Sequence, residues 1–267
     1  AQTLSYRPTG NPPVLYLPHP YDETPAGEEI HGGIPVCWPW FARCGPAGAK
    51  LHGVARYARW RVTGSAYSED VTEITLALES DAETRKAWPH DFALELKVSV
   101  SMKLTLALRA TNTGTEAFHV TEGFHPYFLV RERDQAEVLG VDGCEFTDTR
   151  APEKGVRTWT GIYAVREAGS KIYQVTKREH VLMDHGLDRA IAVVSRGNAR
   201  LVVWNPGAES ADQVAAFGVD GWRHFVCVEP CSTPDEAGYD LKPGESHDLL
   251  MAVQSVPNDG SVHARHD

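Results

Sequence analysis

The sequence predicts an all-β sandwich with few and short helices, and three observations carry that reading. From Phe92 to Leu108 every even position is apolar: Phe92, Leu94, Leu96, Val98, Val100, Met102, Leu104, Leu106 and Leu108. The odd positions between them hold only Ala, Glu, Lys, Ser and Thr. Strict period two is the strand signature, because a helix would spread those side chains around its whole circumference. Turn signals recur between the apolar stretches, at Asn112-Thr113-Gly114, Asp142-Gly143, Arg196-Gly197-Asn198, Asp220-Gly221 and Pro243-Gly244. Helical signals are scarce, and Ala82–Ala87 alone suggests a single turn.

Taken in chain order, AQTLSYRP opens on an alternating pattern, as though already inside a strand, so the true N-terminus is expected upstream of Ala1. The run IHGGIPVCWPWF at 30–41 is too broken by Gly and Pro for a helix and too apolar for an ordinary surface loop. Thr72–Leu78 alternates. The 92–108 run is long for one strand and reads as two, with a turn near Ser101. Alternation returns around Phe118–Leu129, in Ile191–Val194 and in Leu201–Trp204. No internal repeat, linker or shift of composition divides the chain, so residues 1–256 read as one sandwich larger than an immunoglobulin domain, and 257–267 as a loose tail.

Composition narrows the function. The 267 residues are 42% hydrophobic and 23% charged, with a formal net charge of -10, which argues against nucleic acid or an anionic membrane as the main partner. The five cysteines are an odd set in a long chain and match neither a disulfide framework nor the short spacings of zinc knuckles. No metal is expected. With no apolar run long enough to span a bilayer, the reading is a monomer in a reducing, cytoplasmic setting.

Charge is nonetheless unevenly placed. Between Glu29 and Glu69 there is no acidic residue, while His31, Arg43, Lys50, His52, Arg56, Arg59 and Arg61 all fall there. Two readings stand: these cations pair with acids elsewhere on the surface, or they line a pocket for an anionic or hydroxyl-rich small ligand, with aromatic walls from Trp38, Trp40 and Phe41. In GFHPYF, His125 precedes Pro126, which cannot donate to a ladder, so this is an edge or a bulge, where a side chain can be aimed into a cleft. In HFVCVEPCS, Phe225, Cys227 and Glu229 share one strand face while Val226 and Val228 share the other. A carboxylate among such apolar neighbours is costly unless it has a task or a partner. Asp188, in HGLDRAIAV, reads equally as a site residue or as a turn-capping aspartate.

Seven stretches together resemble the glucose-6-phosphate 1-epimerase branch of the aldose 1-epimerase family: GGIPVCWPWF, LHGVARYARW, WPHDF, GFHPYF, LDR, VVWNPG and FVCVEP, in the family's order and across nearly the whole chain. The resemblance implies a galactose-mutarotase-like β-sandwich, or supersandwich, that interconverts the α and β anomers of an aldohexose, with a hexose 6-phosphate such as glucose 6-phosphate as substrate. It makes His125 and Glu229 the catalytic pair, His52 and Asp188 holders of sugar hydroxyls, and Arg56 a residue of the phosphate end. Ring opening needs a proton taken from the C1 hydroxyl and another given to the ring oxygen, tasks suited to a carboxylate and an imidazolium, with no cofactor. The run 30–41 is then expected to form the floor and rim of the sugar pocket.

Two departures are visible. Where the branch carries arginine before GGIP, this chain has His31, which offers one neutral donor in place of a charged planar fork. Phosphate should bind less tightly unless Lys50, Arg43 or Arg59 compensates. Pro126 after the histidine resembles forms found elsewhere among aldose epimerases. An epimerase for unphosphorylated sugars, and a catalytically weak carbohydrate-binding module of the same fold, are the competing readings.

Overall fold

The computed structural model of the chain describes residues 1–18, 28–210, 217, 218, 220–233 and 238–258. Two nine-stranded sheets dominate. In spatial order the first contains Gln2–Thr3, Ile34–Cys37, Gly123–Phe124, Phe225–Cys231, Arg200–Asn205, Gly169–Gln174, Glu145–Asp148 and Arg157–Thr158; Tyr127–Leu129 also pairs with Phe225–Cys231. The second runs Tyr163–Ala164, Ala136–Leu139, Glu179–Asp184, Arg189–Arg196, Ser246–Pro257, Leu104–Asn112, Phe92–Val100, Thr72–Glu79 and Arg61–Tyr67. A two-stranded ribbon joins Phe118–Val120 to Tyr239–Leu241. These strand pairs are all antiparallel.

The period-two run forms the expected hairpin, with the Ser101 N–H donating to the Lys103 carbonyl at 2.8 Å. Phe92, Leu94, Leu96, Leu104, Leu106 and Leu108 are all buried in the main core, each worth about 1.5–3 kcal/mol of transfer free energy. Near the hairpin tip the strands outrun the core, leaving Val100 and Met102 exposed. The one described α-helix, Ala82–Ala87, is started by a capping box: Asp81 accepts from the Glu83 and Thr84 N–H groups, and Thr84 Oγ1 accepts from the Asp81 N–H.

Alternation in the first sheet decides where the site lies. Val226, Val228, Leu201 and Val203 turn inward to the main core. Phe225 and Cys227 turn to the opposite face, where they cluster with Tyr16, Tyr127, Phe217 and Trp222, while Phe41, Val202 and Cys231 form a second small cluster. The opening alternation is a short strand paired with Ile34–Cys37. The last strand runs through Pro257, one residue into the expected tail, and 259–267 lie outside the described residues.

Candidate active site

The strand Phe225–Cys231 is interior to its sheet, with Arg200–Asn205 on one side. On the other side the ladder is interrupted around Pro126, which has no N–H to give. The register is the same before and after the gap, Gly123 opposite Cys231 and Tyr127 opposite Cys227, so it sets His125 directly across from Glu229. Residues so placed share a face, with Cβ atoms about 4.5–5.5 Å apart. The His125 N–H turns to the Pro35 carbonyl at 3.1 Å, and the imidazole Nε2 comes to 3.6 Å from Glu229 Oε2. That is an ion-pair distance longer than a good hydrogen bond, so neither group saturates the other. Val202 flanks Glu229 from the far side, while Trp204 and Tyr127 flank Cys227. The Tyr127 ring stacks on His125 at 4.8 Å, and Trp204 meets it edge-on at 5.6 Å.

The loop after Ile34–Cys37 supplies the next group. The His52 N–H donates to the Ala42 carbonyl, and the Ala42 N–H donates to His52 Nδ1, both at 3.0 Å. With Nδ1 accepting, the neutral ring carries its proton on Nε2, a donor for the cavity. Both residues have left-handed backbones, φ 55° at Ala42 and 61° at His52, uncommon outside glycine and concentrated at functional sites. Gly53 follows at φ 80°, and a Cβ there would run into the Trp38 carbonyl, which accepts from the Val54 and Ala55 N–H groups. Gly123 lets the Phe41 ring approach in the same way, at 2.8 Å from where its Cβ would stand.

These groups line a cavity of about 180 Å³, together with Glu29, His31, Arg43, Leu51, Arg56 and Ser170. At about 30 Å³ per water that is roughly six waters, the size class of one monosaccharide. The Arg56 guanidinium is 2% exposed and lies 3.5 Å from Glu29 Oε2; His31 Nε2 lies 3.4 Å from the same oxygen. Glu29 Oε1 accepts from Tyr57 Oη at 2.5 Å.

Burial governs the electrostatics. It holds His125 well below the usual histidine range, with the Arg56 charge adding to the effect. It pushes the Glu229 carboxyl well above its usual range, with Arg56 pulling the other way. Burial therefore favours the neutral form of both groups in the ligand-free site and disfavours the imidazolium expected from the sequence. Burial likewise depresses His52, then the nearby His125 does so. His125, Cys227 and Glu229 offer donor atoms all within 4.8 Å of one another. Burial pushes the Cys227 thiol up, against the thiolate a metal would need, and the fixed Arg56 charge opposes a second cation.

The structure brings His125, Glu229, His52, Arg56 and His31 to one cavity. It does not bring Asp188, which sits exposed in the hairpin between Glu179–Asp184 and Arg189–Arg196, with φ 48° and its carbonyl accepting from the Asn258 N–H. Asp188 is not among the residues that line the cavity. Nor are Trp38 and Trp40 cavity walls. Trp38 packs against Trp88, Phe92 and Phe118 in the core, and Trp40 lines a separate groove with Lys50 and Arg59. Sequence reasoning missed Tyr127 and Trp204 as walls, although each stands two residues along the chain from a cavity residue. It also used Glu29 only as the limit of the acid-free span.

The antiparallel β-sandwich thus sets a histidine and a glutamate face to face in a cation-rimmed cavity. The aldose 1-epimerase family model matches residues 26–254, and the chain belongs to that family. It is 33% identical over 232 residues to a "Putative glucose-6-phosphate 1-epimerase" of Salmonella typhimurium, covering 86% of this chain and 76% of the relative. A relative of the same name from Escherichia coli is 32% identical over 231 residues, with the same coverage. Among solved structures, a "putative mutarotase" from Salmonella typhimurium superposes with TM-score 0.87 at 30% identity, covering 96% of this chain and 84% of that one. A galactose mutarotase related enzyme from Lactobacillus acidophilus, at TM-score 0.72 and 16% identity, covers 92% and 88% and shares the fold. The protein is accordingly an isomerase that interconverts sugar anomers. No helix among the described residues is long and apolar enough to cross a membrane.

Proposed function

We propose that the chain interconverts the α and β anomers of a hexose 6-phosphate such as glucose 6-phosphate, with His125 and Glu229 carrying the two protons. The observation that carries the reading is the cross-strand placement of this buried pair, 3.6 Å apart at the cavity. Glu229 takes the proton of the C1 hydroxyl while His125 gives one to the ring oxygen; the ring opens, rotates about C1–C2 and closes by the reverse transfers. The reactive arrangement is carboxylate with imidazolium, which holds the same atoms as the neutral pair favoured in the empty site. A phosphate paired with Arg56 screens the charge that most opposes the imidazolium after burial itself. Each positioned transfer is worth about 10²–10⁴-fold.

His52 Nε2 is placed to donate to a hydroxyl, while Arg56, His31 and the exposed Arg43 at the rim take the phosphate. Within the same reading the protein works as a monomer in a reducing cytoplasm. Anomer interconversion of glucose, galactose and glucose 6-phosphate, followed side by side by polarimetry, tests the substrate assignment. Greater acceleration with the phosphate ester than with either free sugar is expected, and acceleration confined to free sugars would overturn it. One observation favours that second reading: the only described carboxylate at the cavity besides Glu229 stands on the candidate phosphate residues.

A further inference from the structure

The carboxylate of Glu29 takes the contacts that a ligand anion would want. Its Oε2 lies 3.5 Å from Arg56 Nη2 and 3.4 Å from His31 Nε2, and its Oε1 accepts from the Tyr57 hydroxyl, whose single proton also has the Leu51 carbonyl within reach at 3.0 Å. Both Glu29 Oε2 and Arg56 Nη2 are buried without a hydrogen-bond partner among the described residues. The contact thus joins opposite charges without completing a charge-assisted hydrogen bond, and two buried polar atoms stay unsatisfied. Among the described residues, Cys37, Tyr127, His52, His125 and the rim Arg43 also face this cluster, and Lys50 Nζ lies 4.5 Å over the Tyr57 ring.

Resting on the phosphate reading above, we propose that Glu29 sets substrate specificity by acting as an internal competitor: its carboxylate occupies the anion position of the ligand-free cavity, and a substrate phosphate must displace it from Arg56 and His31. Displacement is favourable in part because two phosphate oxygens can accept from the planar Arg56 fork and because the carboxylate is freed to water. It is opposed by the charge of Glu29, which repels the incoming anion. A hydroxymethyl group, uncharged, gains nothing from removing that carboxylate. Glu29 therefore lowers preference for phosphorylated over free sugars, and in this chain it does so beside a histidine where a permanent cation would have held phosphate more firmly.

The test is Glu29→Gln, which keeps the shape and the acceptor for Tyr57 but removes the charge. The quantities read are kcat/KM for glucose 6-phosphate and for glucose, and the inhibition constant of inorganic phosphate against whichever sugar is turned over. Expected are a rise of at least tenfold in the phosphate-to-free-sugar kcat/KM ratio and a fall of at least tenfold in the inhibition constant. An unchanged or lowered ratio, with unchanged phosphate inhibition, would overturn the role of Glu29. Wild-type protein that turns over glucose and not its 6-phosphate would overturn the substrate assignment separately; Glu29→Gln that then gains the phosphate ester still supports the competitor, and one that does not overturns it. Should that variant fail to fold, Tyr57→Phe unties the carboxylate and should shift both quantities in the same direction by about threefold; no shift overturns the proposal.

Discussion

Glu229→Gln should make the protein more stable at pH 8 while removing its chemistry. The side chain is 2% exposed, with Val202 opposite on one strand and His125 on the other, and glutamine fills the same volume without opening a cavity. What it removes is a carboxyl whose titration burial has pushed up from the ordinary value of 4.5. A group with a raised folded-state pKa contributes stability that is whole below the unfolded pKa and is lost as pH rises through the folded one. Wild type therefore loses stability from this group above about pH 4.5, and glutamine does not. Each pH unit of that interval is worth about 1.4 kcal/mol, and each kcal/mol about 2–4 °C of Tm in a chain of this size. Thermal melts by circular dichroism at pH 5 and pH 8 read the effect. The Tm advantage of the variant should be larger at pH 8 by at least about 2 °C. An equal advantage at both pH values, or a lower melting point at pH 8, would mean that the native carboxylate is ionised and stabilised by its partners, contrary to the reasoning from burial.

Other expectations follow from the same geometry. His125→Ala should lower the mutarotation rate at least about a hundredfold by loss of one positioned proton transfer, with the far-ultraviolet spectrum unchanged. Asp188→Asn should leave kcat and KM within about twofold, because the residue serves a hairpin turn and asparagine tolerates the left-handed backbone. A larger change would restore it to the site. Gly53→Ala should destabilise the chain by about 2–5 kcal/mol, read by urea denaturation, combining left-handed strain with a clash against the Trp38 carbonyl.

Much of this architecture is written in local patterns, and the exceptions have physical causes. The 92–108 hairpin was legible because its two strands each bury one face, so the alternation survives in the sequence. Glu229 stood out as a carboxylate in an apolar strand, and His125 as a histidine before a ladder-breaking proline. That they face each other was not legible, since the pairing depends on the register of strands about a hundred residues apart. The tryptophans of 30–41 misled because an aromatic run broken by Gly and Pro is compatible with core or cavity; only the tertiary packing of Trp38 against Trp88 and Phe92 separates the two. The acid-free span proved to serve three places. His31, Arg43, His52 and Arg56 reach the cavity, Lys50 and Arg59 line a groove beside the helix Ala82–Ala87, and Arg61 pairs with Glu79 at 3.6 Å. Asp188 was ambiguous because an aspartate before an apolar strand carries the same local signal in a turn as in a site.

The most direct test of the account is the exchange rate between the two anomers of glucose 6-phosphate, measured by magnetisation transfer in NMR with wild type, His125→Ala and Glu229→Gln at equal concentration. Rapid exchange with wild type and a loss of at least about a hundredfold in both variants is the predicted result. Near-native exchange in either variant, or none above buffer with wild type, would contradict it.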